Sequence, residues 1–218
     1  MSLKYNGIIF DFDGTVADTG DGIFNGVYAA LDKMGIAHPP KEELRYFIGP
    51  PLNDSFHKLF GLNDEECDFA VSAYREYYSR QGLYEFELYE GMEQLLKDLK
   101  AHGARLGLAS AKPEVFLKRI VDHMDFNKYF DIVAGHPLTN KHPDKSAVIK
   151  RAAEALKLGA GAKYLMVGDT RFDILGAKSL GMDSVGVLFG YGSREEFEEA
   201  GADYTVEKPS DILSLVIG

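Results

Sequence analysis

Ile8-Ile9-Phe10-Asp11-Phe12-Asp13-Gly14-Thr15-Val16-Ala17-Asp18-Thr19 decides the reading of this chain. A short apolar run delivers two aspartates, spaced by two, into a glycine turn. In an extended chain, residues i and i+2 face the same way. Asp11 and Asp13 are therefore expected side by side at the carboxyl end of a strand, where open α/β sheets gather their ligands. Crowded carboxylates repel unless a cation sits among them or one keeps its proton. A metal clamps phosphoryl oxygens, and a protonated carboxyl serves as general acid, so both outcomes suit phosphoryl chemistry.

Strand-like runs at residues 7–10, 105–109, 131–134, 164–167 and 183–187 alternate with helix-spaced segments at 92–102, 113–123, 146–156, 172–180 and 194–200. Buried parallel strands read as short apolar runs. The alternation predicts an α/β fold with a doubly wound parallel sheet. Residues 20–87 break the pattern, with no convincing strand. Ile23, Val27, Leu31 and Met34 share one helical face, and Gly35 follows as a stop. Asn63 and Glu66 have the spacing of a capping box. Phe69, Ala73 and Tyr77 continue at helical spacing, and the nearby Tyr74, Tyr78, Tyr84 and Phe86 are expected to fill a small helical core. The predicted organisation is a core of residues 1–19 and 88–218 with an α-helical domain inserted at 20–87.

Composition narrows the partners. At 218 residues, the chain has room for one large domain or a core with a smaller lobe. A net charge of −10 argues against nucleic acid or an anionic membrane as the main partner. It leaves a small anionic substrate open, because a bound metal or a lysine sets the local field. The single Cys67 excludes an internal disulfide and points to a reducing compartment. Ile8-Ile9-Phe10 is too short for the core of a signal peptide. A cytoplasmic protein, monomeric or weakly dimeric, is expected.

Four stations fall near predicted strand ends. They are Asp11-x-Asp13-Gly14-Thr15, Ser110, Lys145 just before a helix, and the run from Gly168 to Asp173. A doubly wound sheet brings such ends to one crevice. Oxygen ligands favour a hard cation, and Mg²⁺ is the usual choice beside phosphate. Each station has a plainer reading. Ser110 and Asp173 would cap helices, and Asp169 would sit in a turn. The six histidines are scattered, and surface or helix-end roles are expected for all of them, His136 included.

This constellation resembles the haloacid dehalogenase superfamily in its phosphatase branch. The four stations occur in the family's order, and the helical insert looks like that branch's cap. The stretches Phe47-Ile48-Gly49-Pro50-Pro51 and Gly190-Tyr191-Gly192-Ser193-Arg194 are similar to phosphoglycolate phosphatases and their relatives. The resemblance implies a Mg²⁺-dependent hydrolysis of small phosphate esters through an aspartyl-phosphate. It implies Asp11 as nucleophile and Asp13 as general acid and base. Gly14, Thr15, Ser110, Ala111 and Lys145 would contact phosphate. Asp11, Asp13 (through its carbonyl), Asp169 and Asp173 would hold metal.

Lys141, followed by His142-Pro143, competes with Lys145 for the lysine station. Lys145 is preferred because the helix start fixes its position. Lys112 reads as a surface or rim lysine. Arg45 and Asn53, flanking the rigid Gly49-Pro50-Pro51 bend, are the expected substrate contacts of the insert. A sugar phosphomutase, a nucleotidase and a pyrophosphatase share the stations and stay open as alternatives. A phospho-receiver signalling module is the rival outside enzymology, but it carries its phosphorylated aspartate on a later strand.

Overall fold

The computed structural model describes residues 3–140 and 144–217. In chain order the strands are β1 Gly7–Phe10, β2 Ala17–Asp18, β3 Glu87–Leu88, β4 Arg105–Pro113, β5 Ile132–His136, β6 Tyr164–Gly168, β7 Asp183–Val187 and β8 Tyr204–Val206. The helices are α1 Gly20–Met34, α2 Leu52–Phe60, α3 Asp64–Tyr78, α4 Met92–Ala101, α5 Glu114–His123, α6 Lys145–Leu156, α7 Arg171–Ser179, α8 Arg194–Ala200 and α9 Pro209–Val216. The described residues divide into two compact units, one of residues 3–17, 88–138 and 144–217 and the other of residues 18–87 with Thr139 and Asn140.

The first unit holds a six-stranded sheet in the order β5-β4-β1-β6-β7-β8. Every pairing in it is parallel. Each residue of β1 is fully buried, as a central strand covered on both faces must be. Ile9 packs with Ala109 and Met166 of the flanking strands against Val148, Ile149 and Ala152 of α6. Phe10 meets Phe130 edge-on, with ring centroids 6.3 Å apart. The chain winds from β1 outward through β4 and β5, then returns to β6 on the other side of β1. That reversal splays the connections apart above the carboxyl end of β1, which opens the crevice where such sheets bind ligands.

The predicted alternation is the observed one, and the differences are local. β4 runs to Pro113 rather than stopping at residue 109, with a register shift between Ala109 and Pro113. β8 and α9 were not foreseen, because three residues without apolar alternation give no strand signal.

The second unit is helical and is built on α1, α2 and α3. Gly35 ends α1 in the left-handed conformation, and Asn63 with Glu66 forms the expected capping box at the start of α3. Tyr74 and Tyr78 are buried and stacked, with centroids 5.2 Å apart. Phe69 and Tyr84 are exposed, so the aromatic density fills that core only in part. No helix among the described residues is long and apolar enough to cross a membrane.

Candidate active site

Asp11 follows β1 directly, and its N–H continues the ladder to Val167 of β6 at 2.9 Å. Asp169 follows β6 directly, one residue beyond the position level with Asp11, so the two carboxylates leave neighbouring strands close together. Asp173 sits in the first turn of α7, where it closes a capping box with Thr170. Its Oδ2 accepts from Thr170 N–H at 3.1 Å and from the Thr170 hydroxyl at 2.8 Å. The cap therefore aims the other oxygen, Oδ1, back toward the strand ends.

Lys145 meets that oxygen. It is the first residue of α6, and Asp144 caps the helix through Ser146 N–H at 2.9 Å. The Lys145 Nζ lies 2.8 Å from Asp11 Oδ1 and 2.7 Å from Asp173 Oδ1. Both carboxylate oxygens are fully buried and neither has a well-aligned hydrogen bond. Lys141 lies outside the described residues.

Asp11, Asp169 and Asp173 each offer one carboxylate oxygen within 4.8 Å of the others. Burial raises the Asp11 carboxyl to about 6, helped by Asp173 and Asp13 and opposed by Lys145. Burial, with Asp173 and Asp11, holds Asp169 well above the usual carboxylate range. Burial alone would lower Lys145, but the two aspartates outweigh it and keep its ammonium charged. A buried, oxygen-only donor set with excess negative charge fits a hard divalent cation.

Asp169 is gripped from two further sides. The Thr15 hydroxyl donates to its Oδ1 at 3.3 Å, and Tyr191 N–H donates to its Oδ2 at 3.1 Å. Gly14 makes the close approach possible. Its φ is +74°, and a Cβ there would lie 2.0 Å from Asp169 Oδ2.

The other predicted residues have contacts of their own. Thr15 is fully buried, with its hydroxyl on the Asp169 carboxylate. The Gly14 N–H donates to Ala17 O at 2.9 Å, which closes the turn on itself. The Asp13 side chain stands outside the three-aspartate cluster. Ser110 is buried, and its Oγ accepts from Lys112 N–H at 3.3 Å; Ala111 is half-buried beside it. The Asn53 amide donates to Asp68 Oδ1 within the helical unit at 3.0 Å. Arg45 is exposed on a 3₁₀ turn of the same unit. His136 is buried at the end of β5, because that strand runs alongside the extended β4.

Lys112 is the residue that sequence reasoning missed. It is buried, and its Nζ lies 3.1 Å from Asp13 Oδ1. The signal was available. Ser110 and Lys112 are spaced by two on a strand that continues past Ala109, the same logic that pairs Asp11 with Asp13.

The chain matches the haloacid dehalogenase-like hydrolases over residues 8–187. It belongs to that family. Its buried aspartates form the cluster typical of phosphoric-monoester hydrolases. Among its relatives is a 5'-nucleotidase of Pseudomonas aeruginosa, 36% identical over 195 residues, spanning 89% of this chain and 88% of that protein. The tyrosine-protein kinase PtkA of Mycobacterium tuberculosis is 34% identical over 185 residues, 85% of this chain but 62% of the kinase. A solved structure described as a predicted phosphatase from Clostridium acetobutylicum superposes with a TM-score of 0.88 at 36% identity, over 97% of both chains. Names this different on one fold mean that the fold alone does not select the substrate.

Proposed function

We propose that this hydrolase is a divalent-metal-dependent phosphatase of small phosphomonoesters, of the nucleoside 5'-monophosphate class. The observation that carries the reaction type is the buried cluster of Asp11, Asp169 and Asp173 around Lys145. The expected phosphoglycolate-type substrate gives way to the nucleotidase alternative, because the 36% identical relative bears that name.

Asp11, Asp169 and Asp173 would hold Mg²⁺, with the Asp13 carbonyl as a further ligand. The cation would supply charge neutralisation at the phosphoryl oxygens. Asp11 attacks phosphorus while the ester P–O bond breaks, giving an aspartyl-phosphate. The leaving oxygen takes its proton from Asp13. A water then gives its proton to Asp13 and attacks phosphorus, which releases inorganic phosphate and restores Asp11. Lys145 balances charge on the transferred group and on Asp11. Ser110 and Ala111, at the end of β4, are assigned to the phosphate side of the site.

Phosphate release from a panel tests both levels of this reading. The panel holds nucleoside monophosphates, phosphoglycolate, sugar phosphates, pyrophosphate and p-nitrophenyl phosphate, each with chelator and with Mg²⁺. Loss of turnover in chelator and recovery with Mg²⁺ are expected throughout. Preference for phosphoglycolate over every nucleotide would overturn the substrate class. Full activity in chelator would overturn the metal.

A further inference from the structure

Two lysines are buried at this site, and they have separate partners. Lys145 lies between Asp11 and Asp173, whereas Lys112 meets Asp13 at 3.1 Å. A lysine side chain only 6% exposed is costly unless its charge is compensated. The Asp13 carboxylate is the more open member of the pair, at 16%. Lys112 thus compensates its buried charge on Asp13 Oδ1, and the Asp13 side chain keeps part of its surface exposed.

The backbone around Lys112 is built for this placement. β4 shifts its register against β5 between Ala109 and Pro113, the stretch that carries Lys112. Ser110 Oγ accepts from Lys112 N–H. On the other side, β5 approaches so closely that a Cβ at Gly135 would lie 2.5 Å from Lys112 O. A surface lysine has no need of such support.

We propose that Lys112 is a positioning residue for leaving-group protonation. Its ammonium holds Asp13 Oδ1 and so fixes the carboxyl group in the orientation that serves the leaving oxygen. The inference rests on the role given to Asp13 above. Lys145 then serves the phosphoryl group, Lys112 serves the acid, and neither replaces the other.

The test compares two leaving groups in the Mg²⁺-loaded enzyme. One substrate is the best alkyl phosphate of the panel, whose leaving oxygen needs a proton. The other is p-nitrophenyl phosphate, whose leaving group needs little. General acid catalysis contributes about 10²–10⁴-fold, and a misplaced acid forfeits part of that. Lys112→Met should lower kcat on the alkyl phosphate by about tenfold or more, and on the aryl phosphate by less than about threefold, with KM for both nearly unchanged. In an Asp13→Asn background, Lys112→Met should cost nothing more, because both act through one group. Equal losses on both substrates, or a full further loss in the double variant, would overturn the proposal. Asp13→Asn that spares the leaving-group difference would instead overturn the assignment of Asp13. If Lys112→Met does not fold, the double variant, which removes both charges together, and Lys112→Gln carry the same comparison.

Discussion

Replacing the proposed nucleophile should stabilise the metal-free protein. The Asp11 carboxyl ionises at about 6 in the fold, against a usual value of 3.8. The folded chain therefore binds this proton more tightly than the unfolded chain does, so stability falls as pH rises from about 4 through about 6. A difference of roughly two pKa units, at about 1.4 kcal/mol each, amounts to about 3 kcal/mol of lost stability at pH 7.5. Asparagine keeps the shape without the charge and should recover up to that amount. In a chain of this size, 1 kcal/mol moves Tm by about 2–4 °C, so Asp11→Asn should melt up to about 6–12 °C higher in chelator at pH 7.5. The gap should shrink to about a third at pH 4.5, where the folded wild-type protein is already protonated. Saturating Mg²⁺ should raise the wild-type Tm more than the variant's and so narrow the gap at pH 7.5 as well. Scanning calorimetry under these conditions reads the whole argument. An Asp11→Asn protein no more stable than wild type in chelator at pH 7.5, or a gap independent of pH, would refute it.

Three other outcomes follow from the same geometry. Lys145→Ala should lower kcat/KM by about a hundredfold or more on every substrate, aryl phosphates included, because it removes charge at the phosphoryl group itself; a loss confined to alkyl phosphates would exchange its role with that of Lys112. Gly14→Ala should weaken Mg²⁺ affinity, read by calorimetric titration, since the new Cβ would displace Asp169. Thr15→Val should have a milder effect in the same direction, as it removes one hydrogen bond from Asp169 and leaves the Tyr191 N–H in place.

The fold was legible because its signals are local. β1 and β7 stand where their apolar runs predict them, and α8 begins and ends at its predicted residues. Asp11 and Asp169 were legible for a related reason, since each directly follows a strand that an apolar run announces. What escaped depends on tertiary contact. Thr15 sits beside Asp13 in the sequence but is spent on Asp169, 154 residues away. Lys112 looked like a rim residue because a predicted strand end at residue 109 left it in a loop. The extension of β4, anchored through Gly135 of β5, is what buries it.

The charges at the site also show why it asks for a divalent ion. Fully ionised, Asp11, Asp13, Asp169 and Asp173 carry four negative charges, and Lys112 and Lys145 return two. One divalent cation restores neutrality. Without it, the buried groups approach neutrality by holding protons, which is the direction in which Asp11 and Asp169 are shifted. Cation and protons therefore compete for the same oxygens, and binding of one must release the other. Titrating Mg²⁺ into the metal-free protein near pH 6, in buffers of different ionisation enthalpy, should reveal net proton release. The release should fade toward pH 8 as Asp11 ionises by itself, and Asp11→Asn should diminish it at pH 6. Mg²⁺ binding with no proton release at pH 6 would mean that the cation sits elsewhere than among these carboxylates.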